Sequence, residues 1–297
     1  MFLIMLLYAT VIIMSIQKTV AAVHDISGMG KCSLTAAIPV LSSAGISVSV
    51  MPTAVLSTQT GGLNNYTYRD LTDDLRPFME HWKKIGVKFD AVYSGFLGSS
   101  AQVDIVCDFV NEFRHNNTLF LCDPAMADNG LLYDTFDYSF VEKMKILCKN
   151  ADIIVPNFTE AAFLLDREYF SPPYTKEYTD DLLRSLAKTF GSKFVVLTGV
   201  DFDCKSVGAG AYDAENDVVT YSLSERIDGM FHSTGDLFAS SLLGGILNGF
   251  SVNEATDKAI KFVVNSIKET VKLGGDSRFG LAFERCLPMY MKSLELL

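Results

Sequence analysis

The chain has 297 residues, of which 49% are hydrophobic and 20% charged, a balance that supports a large core and excludes global disorder. With 35 Asp+Glu against 25 Lys+Arg, the formal charge is −10 and the pI about 4.9, which excludes the basic footprint of a nucleic-acid binder. A polyanion can still be held if backbone N–H groups, a helix N-terminus or a metal supply local positive potential.

In chain order, Met1 to Ile16 carry no charge. This apolar run falls short of the roughly 20 residues of a membrane span and lacks the basic start of a signal peptide. Thr19-Val20-Ala21-Ala22 is a weak cleavage motif, and Met14 is an alternative start. The expectation is an apolar extension over 1–16, from a mis-assigned start or a tail, ahead of a single domain over 17–297. Thr19 to Val23 predicts a strand, followed by the turn-rich His24-Asp25-Ile26-Ser27-Gly28-Met29-Gly30. Leu34 to Ala44 has helical spacing with Gly45 as its stop. Ile46 to Met51 reads as a strand, as does Asp90 to Ser94, closed by Gly95. Ala101 to Arg114 is predicted helical, and Leu119 to Cys122 a strand ending at Asp123-Pro124. Phe140 to Asn150 (helix), Ile153 to Val155 (strand) and Thr159 to Leu165 (helix) follow. Phe194 to Leu197 is a strand ending at Thr198-Gly199, and Gly210 to Ile227 a β-hairpin region. Two helices, Asp236 to Leu247 and Val252 to Leu273, complete the pattern.

Alternating strands and helices without a linker argue for one α/β domain, its mostly parallel sheet covered on both faces. Cys32, Cys107, Cys122, Cys148, Cys204 and Cys286 form no C-x-x-C pair and read as scattered, reduced thiols. Ligands of open α/β sheets bind beyond the carboxyl ends of the strands. Those ends carry Asp25, Gly95, Asp123, Asn157 and Thr198. Ser233-Thr234-Gly235-Asp236 is a small-residue turn feeding an apolar helix. It aims several unpaired N–H groups at one spot and so makes an anion hole for a phosphoryl group in transit. On the tetrapeptide alone, Asp236 reads as an N-cap ahead of a catalytic base. Asn157 and Glu160 read equally as a helix cap and its box partner.

Six segments taken together are more specific: His24 to Leu34, Pro52 to Thr60, Ser94-Gly95-Phe96-Leu97-Gly98, Asp123 to Gly130, Pro156-Asn157-Phe158-Thr159-Glu160 and Ser233-Thr234-Gly235-Asp236. Their order resembles that of the bacterial pyridoxal kinases of the ribokinase superfamily, from about Thr19 to the C-terminal helix. The resemblance implies a three-layer αβα sandwich and transfer of the γ-phosphoryl group of ATP to the 5′-hydroxymethyl of pyridoxal, pyridoxine or pyridoxamine. It implies Asp236 as general base, with Ser233, Thr234 and Gly235 lining the anion hole. Asp123, Asp128, Asn157, Glu160 and Thr198 would serve ATP, with Asp123 and Glu160 serving Mg²⁺ chiefly through water. Asp25, Cys32, Thr60, Phe96 and His232 would face the B6 ring. A cytoplasmic homodimer is implied, each site under a cover near Gly208 to Met230, with no membrane partner; a role for a monovalent cation such as K⁺ is left open.

Two departures stand out. Relatives usually carry Gly where Ser233 stands, so a positive φ there would strain the turn. They commonly carry His where Gln59 stands. The alternatives are a hydroxymethylpyrimidine kinase with the same hole and base, or a catalytically weak B6-binding relative. Asn65-Tyr66-Thr67 and Asn116-Asn117-Thr118 match glycosylation sequons but are short enough to arise by chance.

Overall fold

The structure is a computed structural model in which residues 17–297 are described; the apolar run and the alternative start at Met14 lie outside the described residues. β1 (Thr19–Met29) is built on a fully buried Val20-Ala21-Ala22-Val23. It runs six residues beyond the predicted end, because a bulge between His24 and Ile26 lets it stay paired with β2 (Ser47–Thr58), Ile26 opposite Val55 and Met29 opposite Thr58. β3 (Tyr68–Asp70) adds antiparallel to β2. Between β1 and β2 lies α1 (Leu34–Ser43), which Gly45 stops at φ 78°.

α2 (Thr72–Lys84) lies outside the sequence expectation: its apolar stripe of Leu75, Phe78, Met79 and Trp82 stands among charged residues, with Pro77 inside the helix. β4 (Ala91–Ser94), α3 (Ser100–Phe113) and β5 (Leu119–Cys122) follow the predicted pattern. A short hairpin, β6 (Ala127–Asp128) with β7 (Leu131–Leu132), stands apart from the main sheet. Next come α4 (Tyr138–Lys149), β8 (Ile153–Ile154), α5 (Phe158–Leu164) and the unpredicted α6 (Lys176–Phe190). β9 (Phe194–Val200) leads to the hairpin of β10 (Ser206–Asp213) and β11 (Val218–Glu225). α7 (Thr234–Leu247), α8 (Val252–Leu273), two 3-10 turns (Ser277–Phe279 and Phe283–Cys286) and α9 (Leu287–Ser293) end the chain.

Among the described residues, nine strands make one sheet in the order β11-β10-β9-β8-β5-β4-β1-β2-β3, parallel except at β10, β11 and β3. One core, with Phe109, Phe120, Met144 and Leu186, joins one face of the sheet to α3–α6. The other, with Leu41, Tyr93, Leu242 and Phe262, joins the opposite face to α1, α7, α8 and α9. This is the αβα sandwich expected. No helix among the described residues is long and apolar enough to cross a membrane. The carboxyl ends of β1, β4, β5, β8 and β9 open on one edge, and α7 begins there.

Candidate active site

Ser233 occupies the N-cap of α7 in the left-handed region, φ 64° and ψ 18°, and its side chain makes no cap bond. Asp236 is therefore not the cap the tetrapeptide suggested; it is the third residue of the helix and its carboxylate is free for other work. It lies near the Ser33 backbone N–H and near Asp25. Burial first, then the Asp25 charge, push its pKa up to about 7, the Ser33 N–H opposing. Asp25 is itself buried at the middle of β1 and is pushed up to about 6 by burial, against the Ser33 hydroxyl. The Cys32 thiol senses the charge of both. Burial, then the Asp236 charge, raise it to about 12, so it is a neutral wall and not a nucleophile. The bulge in β1 and the positive φ of Ser33 (48°) shape the β1–α1 segment that brings Asp25 and Cys32 up to Asp236 on α7.

Facing them is a second acidic group. Asp123 follows β5 and is held well above the usual carboxylate range by burial, then by Glu160 and Asp236. Glu160 is 3% exposed and pushed up to about 8 by burial, although it accepts from Met126 N–H at 3.1 Å and Asn157 N–H at 2.8 Å. The capping box reading of Asn157 and Glu160 holds: the Asn157 side chain accepts from Glu160 N–H at 2.9 Å, and Glu160 returns the bond. Asn157 Nδ2 also donates to the Ala127 carbonyl at 2.9 Å, tying α5 to the β6–β7 hairpin. Asp128, exposed at the end of β6, adds its charge to Glu160 and accepts from Asn129 N–H at 2.9 Å. Thr198 bridges to Asn157 across the strand ends. One edge thus gathers Asp25, Asp123, Glu160 and Asp236 without a paired cation among the described residues, an arrangement that favours a bound metal or proton sharing.

Of the residues expected at the ring, Thr60, Phe96 and His232 stand on three loops. Phe96 follows Gly95, its ring 5.6 Å from that of Phe136, and its carbonyl accepts from the Thr53 hydroxyl at 3.4 Å. Gly95 is packed so closely on His24 that a Cβ there would lie 2.1 Å from the imidazole. Thr60 is exposed on the loop after β2, where Gly61 and Gly62 meet His232. Gln59 donates to the Arg278 carbonyl and so clasps the loop after β2 to the C-terminal turn. The expected cover divides in two: Gly208 to Glu225 belong to the sheet edge, and Arg226 to Met230 form the loop that leads into α7. Ser277 fastens that loop by donating to the Met230 carbonyl at 2.7 Å.

Tyr133 was missed. Its hydroxyl is raised by burial, then by Glu160, Asp123, Asp128 and Asp236, which places it within the field of four carboxylates. Tyr68 was missed as well, and senses Asp70 and Asp25. Nothing in the local sequence marks either residue, because each meets its partners only through the fold.

Comparison with known proteins bears on the fold and the family. The family described as Phosphomethylpyrimidine kinase matches residues 83–279. A pyridoxal kinase of Dictyostelium discoideum is 29% identical over 198 residues, 60% of this chain and 61% of that protein. The chain therefore spans less than two thirds of that relative. The sheep (Ovis aries) pyridoxal kinase is 27% identical over 286 residues, 88% of this chain and 85% of that protein. A Bacteroides thetaiotaomicron protein named for the phosphomethylpyrimidine kinases, crystallised with pyridoxal, is 38% identical with a TM-score of 0.88, covering 92% of this chain and 96% of that one. The pyridoxal kinase of Lactobacillus plantarum is 28% identical with a TM-score of 0.85, over 94% and 98%.

Proposed function

The chain belongs to the phosphomethylpyrimidine kinase family, on the pyridoxal kinase side of the ribokinase superfamily, and from that premise we propose that it phosphorylates the 5′-hydroxymethyl group of a B6 vitamer with ATP. The observation that carries this reading is Asp236. It is a carboxylate pushed up to about 7 at the third position of α7, next to the Ser233-Thr234-Gly235 turn. A base with that pKa is half ionised near neutral pH and suits proton removal from an alcohol. In the proposed reaction Asp236 takes the hydroxyl proton as the oxygen attacks the γ-phosphorus. The bond to the β-phosphate oxygen breaks and ADP leaves. Backbone N–H groups of Thr234 and Gly235, with the positive end of α7, stabilise the charge on the transferring phosphoryl oxygens.

Asp123 and Glu160 fit Mg²⁺ as an outer pair. Both are raised by burial and Asp123 further by the Glu160 charge, so a dication relieves repulsion. Among the described residues, no three His, Cys, Asp or Glu side chains converge as direct ligands, which favours contact through water. When bound, the ion would neutralise phosphate charge; Asn157 orients Glu160 for it through the capping box, and Thr198 lines the strand end beside them. Asp25, Cys32, Thr60, Phe96 and His232 form the proposed ring side, with Asp128 beside the phosphates. A homodimer, a cytoplasmic location and a monovalent cation belong to the same reading.

The deciding experiment is a coupled ADP-release assay offering pyridoxal, pyridoxine, pyridoxamine, hydroxymethylpyrimidine and ribose. Release with a B6 vitamer that vanishes in Asp236→Asn is the expected result. Release with the pyrimidine alone would move the assignment to the sister activity.

A further inference from the structure

Gln102, in the first turn of α3, is wholly buried, and its carboxamide touches three segments that surround the proposed ring pocket. Its Oε1 accepts from the Gly98 N–H at 2.7 Å, two residues after Phe96. Its Nε2 donates to the Thr53 carbonyl on β2 at 2.9 Å and to the Thr72 hydroxyl, which opens α2, also at 2.9 Å. Asp70, at the end of β3, lies 3.4 Å from the same nitrogen. The partners fix the orientation of the amide. A flipped side chain would set its NH₂ against the Gly98 N–H and its oxygen against the Thr53 carbonyl.

Both sides of this bridge lead directly to residues placed at the ring. On one side the bond to Gly98 sets the turn that carries Phe96, and Gly98 packs so tightly on Tyr68 that a Cβ would lie 2.3 Å from its hydroxyl. On the other side Thr53 holds the Phe96 carbonyl through its own hydroxyl at 3.4 Å, and β2 continues into the loop that bears Thr60. A hydrophobic side chain of similar volume would fill the space as well, so the need for a carboxamide comes from the polar groups it joins. A buried amide also costs free energy unless each of its groups is paired, and here each is. Asp123, Glu160 and Asn157 take no part in these bonds.

We propose that Gln102 is a positioning residue for the ring-binding half of the site, setting the spacing between the Phe96 turn and the β2–β3 flap while leaving the nucleotide half untouched. The inference rests on the B6 kinase reading. The test varies pyridoxal and ATP separately in steady-state kinetics of the full chain, with thermal unfolding measured beside it. In Gln102→Met all three bonds are lost, and the KM for pyridoxal is expected to rise about tenfold, the effect of losing roughly one net hydrogen bond. The KM for ATP should stay within about twofold, because the nucleotide half keeps its contacts. Gln102→Glu keeps the acceptor for Gly98 but turns an oxygen toward Thr53 and Asp70, so pyridoxal binding should weaken again. Thr72→Val removes one outer partner at a partly exposed site, and should raise the pyridoxal KM about threefold by weakening a single neutral bond. If the Gln102 variants do not fold, Thr72→Val decides alone.

Equal rises in both KM values, or a lowered melting temperature with both KM values unchanged, would show a purely structural residue and overturn the proposal. Wild-type turnover of pyridoxal tests the underlying reading, and its absence removes both. The variant-to-wild-type ratio of KM values tests Gln102 alone.

Discussion

Ser233 holds φ at 64°, a conformation that costs an L-residue about 1–2 kcal/mol and costs glycine almost nothing. Its hydroxyl is buried without a partner in the protein and makes no cap bond, so the side chain returns nothing to stability that is visible in the fold. Ser233→Gly should therefore raise unfolding free energy by up to about 1 kcal/mol, after the larger unfolded-state entropy of glycine is deducted. Chemical denaturation with an unchanged m-value would check it, and a destabilised Gly variant would refute it. Asp236 allows a sharper forecast. Its pKa of about 7 means that kcat/KM for the vitamer should climb tenfold per pH unit below that value and level off above it. Asp236→Asn should lower kcat by about 10²–10⁴ and remove that limb, as expected for loss of a general base. At this scale the sequence was partly legible. Asp236, Glu160 and Asp123 sit in local patterns that announce a helix start or strand end. Tyr133, Tyr68 and Gln102 do not, since their partners lie on other segments and only the assembled sheet edge brings them close.

Among the elements, α5 shows how a structural device and a proposed binding device can share residues. The box between Asn157 and Glu160 satisfies N–H groups at both ends, and the same carboxylate reaches Met126 N–H in the next loop. Asn157→Ala should cost about 1 kcal/mol as a lost cap. It should also raise the KM for ATP more than that for pyridoxal, because the Asn157 Nδ2 bond to the Ala127 carbonyl, which ties α5 to the β6–β7 hairpin, is lost. A larger effect on pyridoxal would count against the nucleotide assignment. The turn after β4 offers a steric counterpart. Gly95→Ala would push a methyl group into the His24 ring, and overpacking of this kind typically costs about 1–3 kcal/mol, measurable as a lower melting temperature. Elements with strong apolar periodicity, such as α8 over Val252–Leu273, were legible to the residue. α2 was hidden because Leu75, Phe78, Met79 and Trp82 stand among charged residues with Pro77 inside the helix, and the extension of β1 was hidden because a bulge allows His24 to Met29 to remain paired. Pairing partners far along the chain decide such cases, and local propensity does not record them.

Across the whole molecule, four of the 35 acidic residues, Asp25, Asp123, Glu160 and Asp236, meet at the sheet edge, where proton binding is linked to stability. A carboxyl whose folded-state pKa is raised stabilises the fold below its unfolded value, and that stability is lost as pH rises through the folded value. Asp25 moves from 3.8 to about 6, Asp236 from 3.8 to about 7 and Glu160 from 4.5 to about 8. All three therefore weaken the ligand-free fold as pH rises from about 4 to 8. His24 acts in the opposite sense. Burial lowers it from 6.5 to about 3, so its contribution is lost as pH falls through that window. Three groups outweigh one, and the melting temperature of the ligand-free protein should fall between pH 5 and pH 8. Mg²⁺ with ATP should offset the fall most at the alkaline end, because a cation beside Asp123 and Glu160 favours their ionised forms and binds only the folded state. Differential scanning fluorimetry at pH 5, 6, 7 and 8, with and without Mg²⁺ and ATP, gives the comparison. A melting temperature that rises steadily to pH 8 without ligand would mean that these carboxylates do not carry raised pKa values. The net acidity would then be a surface property with no link to the site.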